Sequence, residues 1–175
     1  MKRAVFLDRD GVINRAIVRN GMPYPPANLG ELEILPGVFE ALKKLHAADY
    51  LLIVVTNQPD VARGSAKKVD VEQINFQLSS LLPLDDIKTC YHDSIDGCLC
   101  RKPLPGALLE AAKEHDIELS KSFMVGDRWR DIVAGQRAGC KTFFVNYRYD
   151  EQQPEMPDFI VSSLLEAQKI ITGEC

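Results

Sequence analysis

Near the start of the chain lies the stretch Ala4-Val5-Phe6-Leu7-Asp8-Arg9-Asp10-Gly11-Val12-Ile13-Asn14. Its first four residues are all apolar, which predicts a short strand that is buried on both faces of a parallel sheet. Asp8 and Asp10 follow at the carboxyl end of that strand, which is where open α/β sheets bind their ligands. Two carboxylates so close repel each other unless a cation or a shared proton relieves the repulsion, and Gly11 allows the backbone to turn sharply beside them. Taken alone, the stretch is compatible with an active site and equally with an acidic cap between a strand and a helix.

The composition describes an ordinary globular protein with an acidic balance. The 175 residues are 46% hydrophobic and 26% charged, and the formal net charge is −4, so one domain with a full core is expected. This charge argues against a nucleic-acid partner and against an anionic membrane surface. No stretch reaches the roughly 20 apolar residues that cross a bilayer, and the first residues lack the apolar region of a signal peptide. We therefore expect a cytoplasmic protein that binds neither nucleic acid nor membrane.

Apolar residues alternate along the chain between strand-like runs and helix-like spacing. Further strands are predicted at residues 50–55, 87–91, 122–125, 142–145 and 159–161. Helices are predicted at residues 38–48, 70–82, 105–115, 128–138 and 163–171. Residues 14–35 have no clear period and contain several prolines and glycines, which predicts a long loop. Strands that alternate with helices indicate right-handed βαβ units, so the fold class expected for residues 1–175 is a single doubly wound α/β domain with a parallel sheet.

Polar side chains follow three of the predicted strands. Asp8 and Asp10 follow the first strand, Thr56 follows the second, and Asp127 follows the fourth. If these strands are neighbours, their carboxyl ends meet at one crevice. Three carboxylates form an oxygen site that suits Mg²⁺ and a substrate phosphate, while Thr56 offers a hydroxyl and Lys102 a compact cation for phosphate oxygens. The set is the one that phosphoryl transfer requires.

These residues resemble a known family. The order Asp8-x-Asp10-Gly11, Thr56, Lys102 and Gly126-Asp127-x-x-x-Asp131 is similar to the four motifs of the haloacid dehalogenase-like phosphatases. The resemblance covers roughly residues 6–139 and implies a Rossmann-like fold. Members of this superfamily often carry a folded cap between motifs, but the intervals here are too short to hold one. We therefore expect an open site without a cap domain, in which loops select the substrate.

The resemblance implies a role for each motif residue. Asp8 is implied as the nucleophile that forms an aspartyl-phosphate, and Asp10 as the acid that protonates the leaving oxygen and then activates water. Asp8, the backbone carbonyl of Asp10 and Asp127 are implied as ligands of Mg²⁺. Thr56 and Lys102 are implied as catalytic residues that bind the transferring phosphoryl group.

A cluster of cysteines with one histidine predicts a second metal site. Its members are Cys90, His92, Cys98 and Cys100. Three thiolates and an imidazole are the Cys₃His set of a closed tetrahedral zinc site, and each C-x-H or C-x-C pair can supply both ligands from one tight turn. Because no coordination position is left open, the zinc is expected to be structural and to staple the loop that carries Lys102; the alternatives are reduced, partly buried cysteines or a redox disulfide. Cys140 and Cys175 are interpreted as ordinary thiols.

Longer motifs restrict the resemblance to one subfamily of these phosphatases. They are residues 6–14, Val55-Thr56-Asn57-Gln58, Ala62-Arg63-Gly64, the zinc-ligand spacing and Cys100-Arg101-Lys102-Pro103-x-Pro105-Gly106. Together they are similar to the D-glycero-D-manno-heptose-1,7-bisphosphate 7-phosphatases and to the related histidinol-phosphate phosphatases, which share the zinc loop. In the heptose family the matching positions that contact substrate are Ala16, Ile17, Val18, Arg19, Thr56, Asn57, Gln58, Pro59, Arg101, Lys102 and Arg128. The resemblance also implies a product, heptose 1-phosphate, that feeds nucleotide-activated heptose for lipopolysaccharide or other surface glycans.

The sequence departs from that subfamily in the loops that are implied to select the substrate. Pro59-Asp60 stands where Ser-Gly is usual, Tyr91 stands where a proline is usual, and Arg128-Trp129-Arg130 follows the fourth-motif aspartate where a lysine is usual. Arg128 is still able to hold a second phosphate bidentately. Trp129 is interpreted as a helix-packing residue, with a platform for sugar as the alternative. Asp131 either lies behind the metal or orients the motif lysine, with an exposed helical acid as the alternative.

Three functions are compared. The first is a Mg²⁺-dependent, monomeric phosphatase that removes the C7 phosphate of a heptose 1,7-bisphosphate, which Arg63, Arg101 and Arg128 favour because they suit a second anionic group. The second is a histidinol-phosphate phosphatase, in which Asp60 is the acid that would face the substrate ammonium. The third is a non-catalytic, zinc-stapled binding module, which would have lost at least one catalytic group, whereas all are present. A polynucleotide 3′-phosphatase uses similar motifs, but the acidic balance argues against it.

Overall fold

Six parallel strands form the central sheet of this computed structural model, which describes residues 1–174. The strands are β1 (Arg3–Leu7), β4 (Tyr50–Asn57), β5 (Asp86–Cys90), β6 (Phe123–Gly126), β7 (Lys141–Val145) and β8 (Phe159–Val161), and a separate pair comprises β2 (Ile17–Arg19) and β3 (Met22–Tyr24). Their order across the sheet is β5-β4-β1-β6-β7-β8, with every pairing parallel. The predicted doubly wound α/β fold is therefore confirmed. Cys175 lies outside the described residues.

Helices cover both faces of the sheet. They are α1 (Val38–Ala47), α2 (Lys68–Leu81), α3 (Gly106–His115), α4 (Trp129–Ala138) and α5 (Leu164–Thr172). Alternate residues of a strand point to opposite faces, and Val5 of β1 accordingly packs in a cluster with α1, α2 and α5, while Phe6 packs in a second cluster with α3 and α4. Each predicted strand and helix is found with its ends within two residues of the expected position.

The prediction of a loop over residues 14–35 is wrong in one part. A β-hairpin of β2 and β3 lies there, with Ile17 opposite Tyr24, and Leu29–Glu31 form one 3₁₀ turn. The strands have three residues each, and one contains a proline, so no alternating pattern is visible. The available signal is the Asn20-Gly21 dipeptide, because both residues adopt positive φ, at 50° and 75°, as a two-residue hairpin turn requires.

Strands β4, β1 and β6 are neighbours at the centre of the sheet. Leu7 at the end of β1 is level with Val54 of β4 and with Val125 of β6. The residues that follow these strands therefore leave the sheet at the same edge. Among residues 1–174, no helix combines the length and the apolar character needed to cross a membrane.

Candidate active site

A cavity of about 290 Å³ opens at the carboxyl ends of β1, β4 and β6. Asp8, Asp10, Lys102 and Asp127 line it. The residues that the sequence singled out at separate strand ends thus meet at one crevice. Thr56 is only 1% exposed and is connected to the cavity wall through Gln58, which donates hydrogen bonds to both the Thr56 hydroxyl and Asp10.

Three buried carboxylates lie next to one another in the floor of the cavity. One oxygen each from Asp8, Asp127 and Asp131 lies within 4.8 Å of the others. Burial, followed by the charge of Asp131, raises the pKa of Asp8 to about 6, although Lys102 opposes the shift. Burial and the charge of Asp8 likewise raise the pKa of Asp127 well above its ordinary value. These shifts have the direction expected where carboxylates are crowded together without enough positive charge.

Asp127 provides the clearest sign that this group fits a cation. Its Oδ2 accepts a hydrogen bond from the Tyr149 hydroxyl at 2.8 Å, whereas its buried Oδ1 has no hydrogen-bond partner among residues 1–174. A buried carboxylate oxygen without a partner is costly. Together with the neighbouring carboxylate of Asp8, this oxygen makes the donor set suitable for Mg²⁺, which prefers a few carboxylate oxygens together with water and phosphate.

Lys102 is clamped between two of the carboxylates. Its Nζ lies 2.8 Å from Asp8 Oδ1, 2.7 Å from Asp131 Oδ1 and 2.6 Å from the carbonyl oxygen of Val55. Burial alone would lower the pKa of Lys102, but the charges of Asp131 and Asp8 outweigh it and raise the pKa above the usual value for lysine. The lysine is therefore a fixed buried cation at the edge of the cavity.

Asp131 is not an exposed helical acid. It is 2% exposed, and its second oxygen, Oδ2, accepts a hydrogen bond from the backbone N–H of Arg128 at 3.0 Å. Both oxygens are thus engaged, one by the N-terminal turn of α4 and the other by Lys102. A Cβ atom at Gly126 would lie 2.1 Å from the Asp131 Cβ, so the glycine before the motif aspartate allows this close approach.

Asp10 is held by three side-chain donors. The guanidinium of Arg9 donates to both carboxylate oxygens, at 3.1 and 3.2 Å. Gln58 donates to Asp10 Oδ2 at 2.8 Å, and Asn14 donates to Oδ1 at 3.0 Å. Gln58 also donates to the Thr56 hydroxyl at 2.9 Å, which leaves the hydroxyl hydrogen of Thr56 available for another acceptor.

Arg9 is a positioning residue that the sequence did not single out. It is 0% exposed, and a fully buried charge is tolerated only when it is paired. Beyond Asp10, its guanidinium donates to Asn75 Oδ1 of α2 at 2.9 Å, and Asn75 in turn donates to the Thr89 hydroxyl of β5 at 3.0 Å. The signal in the sequence that could have revealed this residue is an arginine that stands between two aspartates, immediately after a buried strand and the first aspartate.

The loop after β7 contributes two tyrosines that the sequence did not reveal as site residues. Tyr149 donates to Asp127, as described above, and the Tyr147 hydroxyl donates to the carbonyl oxygen of Gly11 at 2.9 Å. Gly11 itself has φ +92°, and a Cβ atom there would lie 2.0 Å from Asp127 Oδ2. Local sequence patterns contain no signal for the tyrosines, because they reach the site from more than 130 residues beyond Asp8.

Only some of the residues implied to bind substrate lie on the cavity wall. Asn57 receives a hydrogen bond from the Lys102 backbone N–H at 3.1 Å and donates to the Lys102 carbonyl at 3.0 Å, so its side chain is occupied in orienting that loop. Pro59 lines the cavity. Ala16, Ile17, Val18 and Arg19 are not on the cavity wall; Met22–Tyr24, the opposite strand of the hairpin, line it instead.

Three arginines on the cavity wall already have partners. Arg63 donates to both oxygens of Asp93, at 2.7 and 2.8 Å. Arg128 binds both oxygens of Glu151 through its Nε, at 3.0 and 3.1 Å. Arg101 donates to the carbonyl oxygen of His92 at 3.3 Å.

The cysteines and histidine of the predicted metal cluster come together on the loop between β5 and Lys102. Sγ of Cys90 lies 3.7 Å from Sγ of Cys98 and 3.1 Å from Sγ of Cys100. His92 Nδ1 lies 3.6 Å from Cys90 Sγ and 3.3 Å from Cys100 Sγ. These separations exceed an S–S bond of about 2.05 Å and are close to the ligand-to-ligand spacing around a tetrahedral Zn²⁺ with bonds of roughly 2.0–2.3 Å. Among the described cysteines, all are free thiols, and Cys140 is buried elsewhere.

Comparison with known proteins agrees with this architecture. A family model described as HAD-hydrolase-like matches residues 99–167. The chain is 39% identical to D-glycero-beta-D-manno-heptose-1,7-bisphosphate 7-phosphatase of Helicobacter pylori over 79% of this chain and 80% of the relative, and 34% identical to the protein of that name from Pasteurella multocida over 99% and 98%. The crystal structure of D,D-heptose 1,7-bisphosphate phosphatase from B. bronchiseptica, complexed with magnesium and phosphate, superimposes with a TM-score of 0.83, 29% identity and coverage of 99% of both chains.

Proposed function

This chain belongs to the haloacid dehalogenase-like phosphatases, in the family of the D-glycero-D-manno-heptose-1,7-bisphosphate 7-phosphatases, and on that premise we propose that it hydrolyses the C7 phosphate of a D-glycero-D-manno-heptose 1,7-bisphosphate. The observation that carries the proposal is the buried Lys102, paired with Asp8 and Asp131 beside the unpartnered oxygen of Asp127. The product would be heptose 1-phosphate, a precursor of nucleotide-activated heptose for lipopolysaccharide or another surface glycan.

We assign the nucleophilic role to Asp8. A carboxylate oxygen of Asp8 attacks phosphorus, the bond from phosphorus to the C7 oxygen breaks, and an aspartyl-phosphate forms on the enzyme. Water then attacks the same phosphorus, which releases inorganic phosphate and restores the carboxylate. The ion pair with Lys102 at 2.8 Å holds the carboxylate in one orientation through both steps.

We assign the proton transfers to Asp10. It gives a proton to the leaving C7 oxygen in the first step and takes one from the attacking water in the second. The bonds from Arg9, Gln58 and Asn14 fix its carboxyl group on the wall of the cavity. Giving the first proton requires the acid form of Asp10, and the carboxylate that results is held by these bonds in position to take the proton of the attacking water without reorganisation.

Mg²⁺ would be held by Asp8, Asp127 and the backbone carbonyl of Asp10, and it would neutralise charge on the transferring phosphoryl oxygens. Asp131 is not proposed as a ligand, because both of its oxygens are already engaged. The hydroxyl of Thr56 and the ammonium of Lys102 would donate to the phosphoryl oxygens. The substrate contacts implied for residues 16–19, for Asn57, Gln58 and Pro59, and for the arginines on the cavity wall stay predictions.

We further propose that Cys90, His92, Cys98 and Cys100 hold a structural Zn²⁺. Four protein ligands would fill the tetrahedral shell and leave no position for substrate. The loop that they close continues directly into Arg101 and Lys102, so the ion would fix the backbone that presents the buried lysine. Metal analysis of purified protein tests this directly, with one Zn²⁺ per chain as the expected result and none as the contradicting one.

A substrate panel tests the proposed reaction. The metal-loaded protein would be given both anomers of the heptose bisphosphate, histidinol phosphate and simple sugar phosphates, and released phosphate would be measured. We expect at least one heptose anomer to have the highest kcat/KM, and Asp8→Asn to abolish release because an amide is not a nucleophile here. Faster turnover of histidinol phosphate would replace the heptose assignment.

The two competing functions are less well supported by the site. For histidinol phosphate, Asp60 was the candidate partner of the ammonium group, but it accepts a hydrogen bond from Arg63 at 3.3 Å. A non-catalytic module does not require Asp8, Asp10, Lys102 and Asp127 to line one cavity. One capless domain over residues 1–175, action as a monomer and a cytoplasmic location stay predictions.

A further inference from the structure

A second cavity adjoins the first. It has a volume of about 350 Å³ and lies between the cysteine loop and the start of α4. Trp129 and Leu104 line only this second cavity, whereas Arg101, Lys102 and Arg130 line both. Trp129 is thus a wall residue of a cavity, which differs from the helix-packing role expected of it. A ligand that is bound at Lys102 can therefore extend past Arg101 and Arg130 into a second compartment.

Arg130 differs from the other arginines of this wall. Arg63 donates to both carboxylate oxygens of Asp93 and Arg128 to both of Glu151, and Arg101 lies 3.8 Å from the carboxylate of Asp93. Arg130 is partly buried, yet within residues 1–174 it forms no ion pair. Its guanidinium carbon instead lies over the ring of Trp129, 4.9 Å from the ring centroid.

The charge of Arg130 is also poorly compensated. Burial, followed by the positive charges of Arg128 and Arg101, lowers its pKa from the ordinary value of arginine, and the charges of Glu151 and Asp131 oppose this shift without outweighing it. Arg128 and Arg101 are therefore close enough to repel the guanidinium of Arg130, which lies at the boundary between the two cavities. An anion at this boundary would reduce the repulsion between the guanidinium groups and compensate for the hydration that Arg130 has lost on burial. A guanidinium that is not bound to a carboxylate can hold a phosphate bidentately.

We propose that Arg130, assisted by Arg101, binds the second phosphate of a bisphosphorylated sugar, and so determines the preference for a bisphosphate over a monophosphate. The inference rests on the proposed function for the identity of the sugar. It differs from the expectation from sequence, in which Arg128 had this role, because Arg128 is chelated by Glu151 while Arg130 is not. The phosphate that reacts is bound at Asp8 and Lys102, and the distal phosphate at Arg130.

The test compares Arg130→Ala and Arg130→Lys with the wild type on matched pairs of sugars, each with one or with two phosphates. The pairs are heptose 7-phosphate with heptose 1,7-bisphosphate and fructose 6-phosphate with fructose 1,6-bisphosphate. We expect Arg130→Ala to lower kcat/KM for the preferred bisphosphate by about 10- to 100-fold, mainly through KM, since a charge-assisted hydrogen bond of this kind is lost. The monophosphate should change by less than about threefold. Arg130→Lys retains the charge but not the planar fork, so an intermediate loss is expected.

Four outcomes are informative. Equal losses on the two members of a pair would show a general structural role and overturn the inference, as would an unchanged preference for the bisphosphate in Arg130→Ala. A wild-type enzyme without any preference for bisphosphates would also overturn it. By contrast, a wild-type preference for a bisphosphate other than the heptose, abolished in Arg130→Ala, would support Arg130 and contradict the proposed substrate. Thermal denaturation of Arg130→Lys, which keeps the aliphatic stem, separates loss of binding from loss of fold.

Discussion

The ammonium nitrogen of Lys102 lies 2.7 Å from the carboxylate of Asp131, and both side chains are almost completely buried. The two residues are separated by 29 positions and come from different segments, the cysteine loop and the first turn of α4. Their contact connects the helix that begins after Asp127 to the lysine beside Asp8. The position of the cation therefore depends on the packing of α4 and not only on its own loop.

Asp131→Asn should lower kcat by about 10- to 100-fold, because the buried ammonium of Lys102 loses one of its two counter-charges and its fixed position. The free energy of unfolding should fall by about 2–4 kcal/mol for the same reason. The matched control is Glu110→Gln, which alters an exposed helical acid of α3 and should change both quantities little. Phosphate-release kinetics and urea denaturation measure the two effects, and an Asp131→Asn protein that resembles the control would contradict the positioning role.

Arg9→Gln should reduce kcat about tenfold or more while changing KM less, because Asp10 loses its two guanidinium hydrogen bonds and its fixed orientation. Stability should fall by about 2–3 kcal/mol, since the partly buried carboxylate of Asp10 is left with fewer donors. Arg15→Gln removes a comparable arginine–carboxylate pair, with Glu33, that is exposed, and it should change the free energy of unfolding little. The pH dependence of kcat is the additional measurement, because only a residue that acts through Asp10 should alter its profile.

Gly11→Ala should destabilise the protein and weaken Mg²⁺ binding together. The glycine has φ +92°, and an added Cβ would lie 2.0 Å from the Asp127 carboxylate, so the loop or the carboxylate must move. Gly139→Ala is the matched control, because Gly139 has a similar φ of +85° and open space around the Cβ position. We expect the control to cost about 1 kcal/mol for backbone strain alone and to leave metal affinity unchanged. If calorimetric titration with Mg²⁺ gives the same affinity for both variants, the close approach of Gly11 and Asp127 has no role in metal binding.

Thiol labelling should distinguish the cluster cysteines from Cys140. With zinc bound, Cys90, Cys98 and Cys100 should resist iodoacetamide at pH 8. A chelator should make the partly exposed Cys98 reactive, because burial is outweighed by hydrogen bonds from the Arg101 backbone and from the neighbouring thiols, which lower its pKa. Cys100 should react more slowly, because burial and the neighbouring thiols raise its pKa. Cys140 should stay unreactive in both conditions, because burial raises its pKa to about 12 from an ordinary 9.0. Labelling of Cys98 that is equally fast before and after chelation would argue against zinc.

The same pKa shift gives an alkaline limit to stability. A folded-state pKa above the unfolded value means that the folded protein holds the Cys140 proton more tightly, so stability decreases as pH rises from about 9 towards 12. Cys140→Ala should remove this contribution. Denaturation of both proteins across that pH range measures the difference, and parallel curves would contradict the assignment.

The local pattern of the sequence was sufficient to predict the six strands of the central sheet, the five helices and the convergence of the motif residues, but not the β2–β3 hairpin. Apolar runs and helical spacing are local properties, and strands that alternate with helices lead to a parallel sheet whose carboxyl ends share one edge. Asp8, Thr56 and Asp127 could therefore be predicted to meet without knowledge of any side-chain contact. The Cys₃His cluster was also visible, since its ligands lie within eleven consecutive residues.

Only the tertiary structure decided which charged and polar groups are available at that edge. Arg128 is bound by Glu151, 23 residues away, and Arg63 by Asp93, 30 residues away, whereas Arg130 has no carboxylate partner among the described residues. The hydrogen bond from Tyr149 to Asp127 and the burial of Asp131 are equally non-local. Such pairings depend on how loops pack against one another, and no periodicity along the chain encodes them. The sequence alone therefore determined the reaction that this site is suited to perform, while the packing of the loops decided which cations remain free to select its substrate.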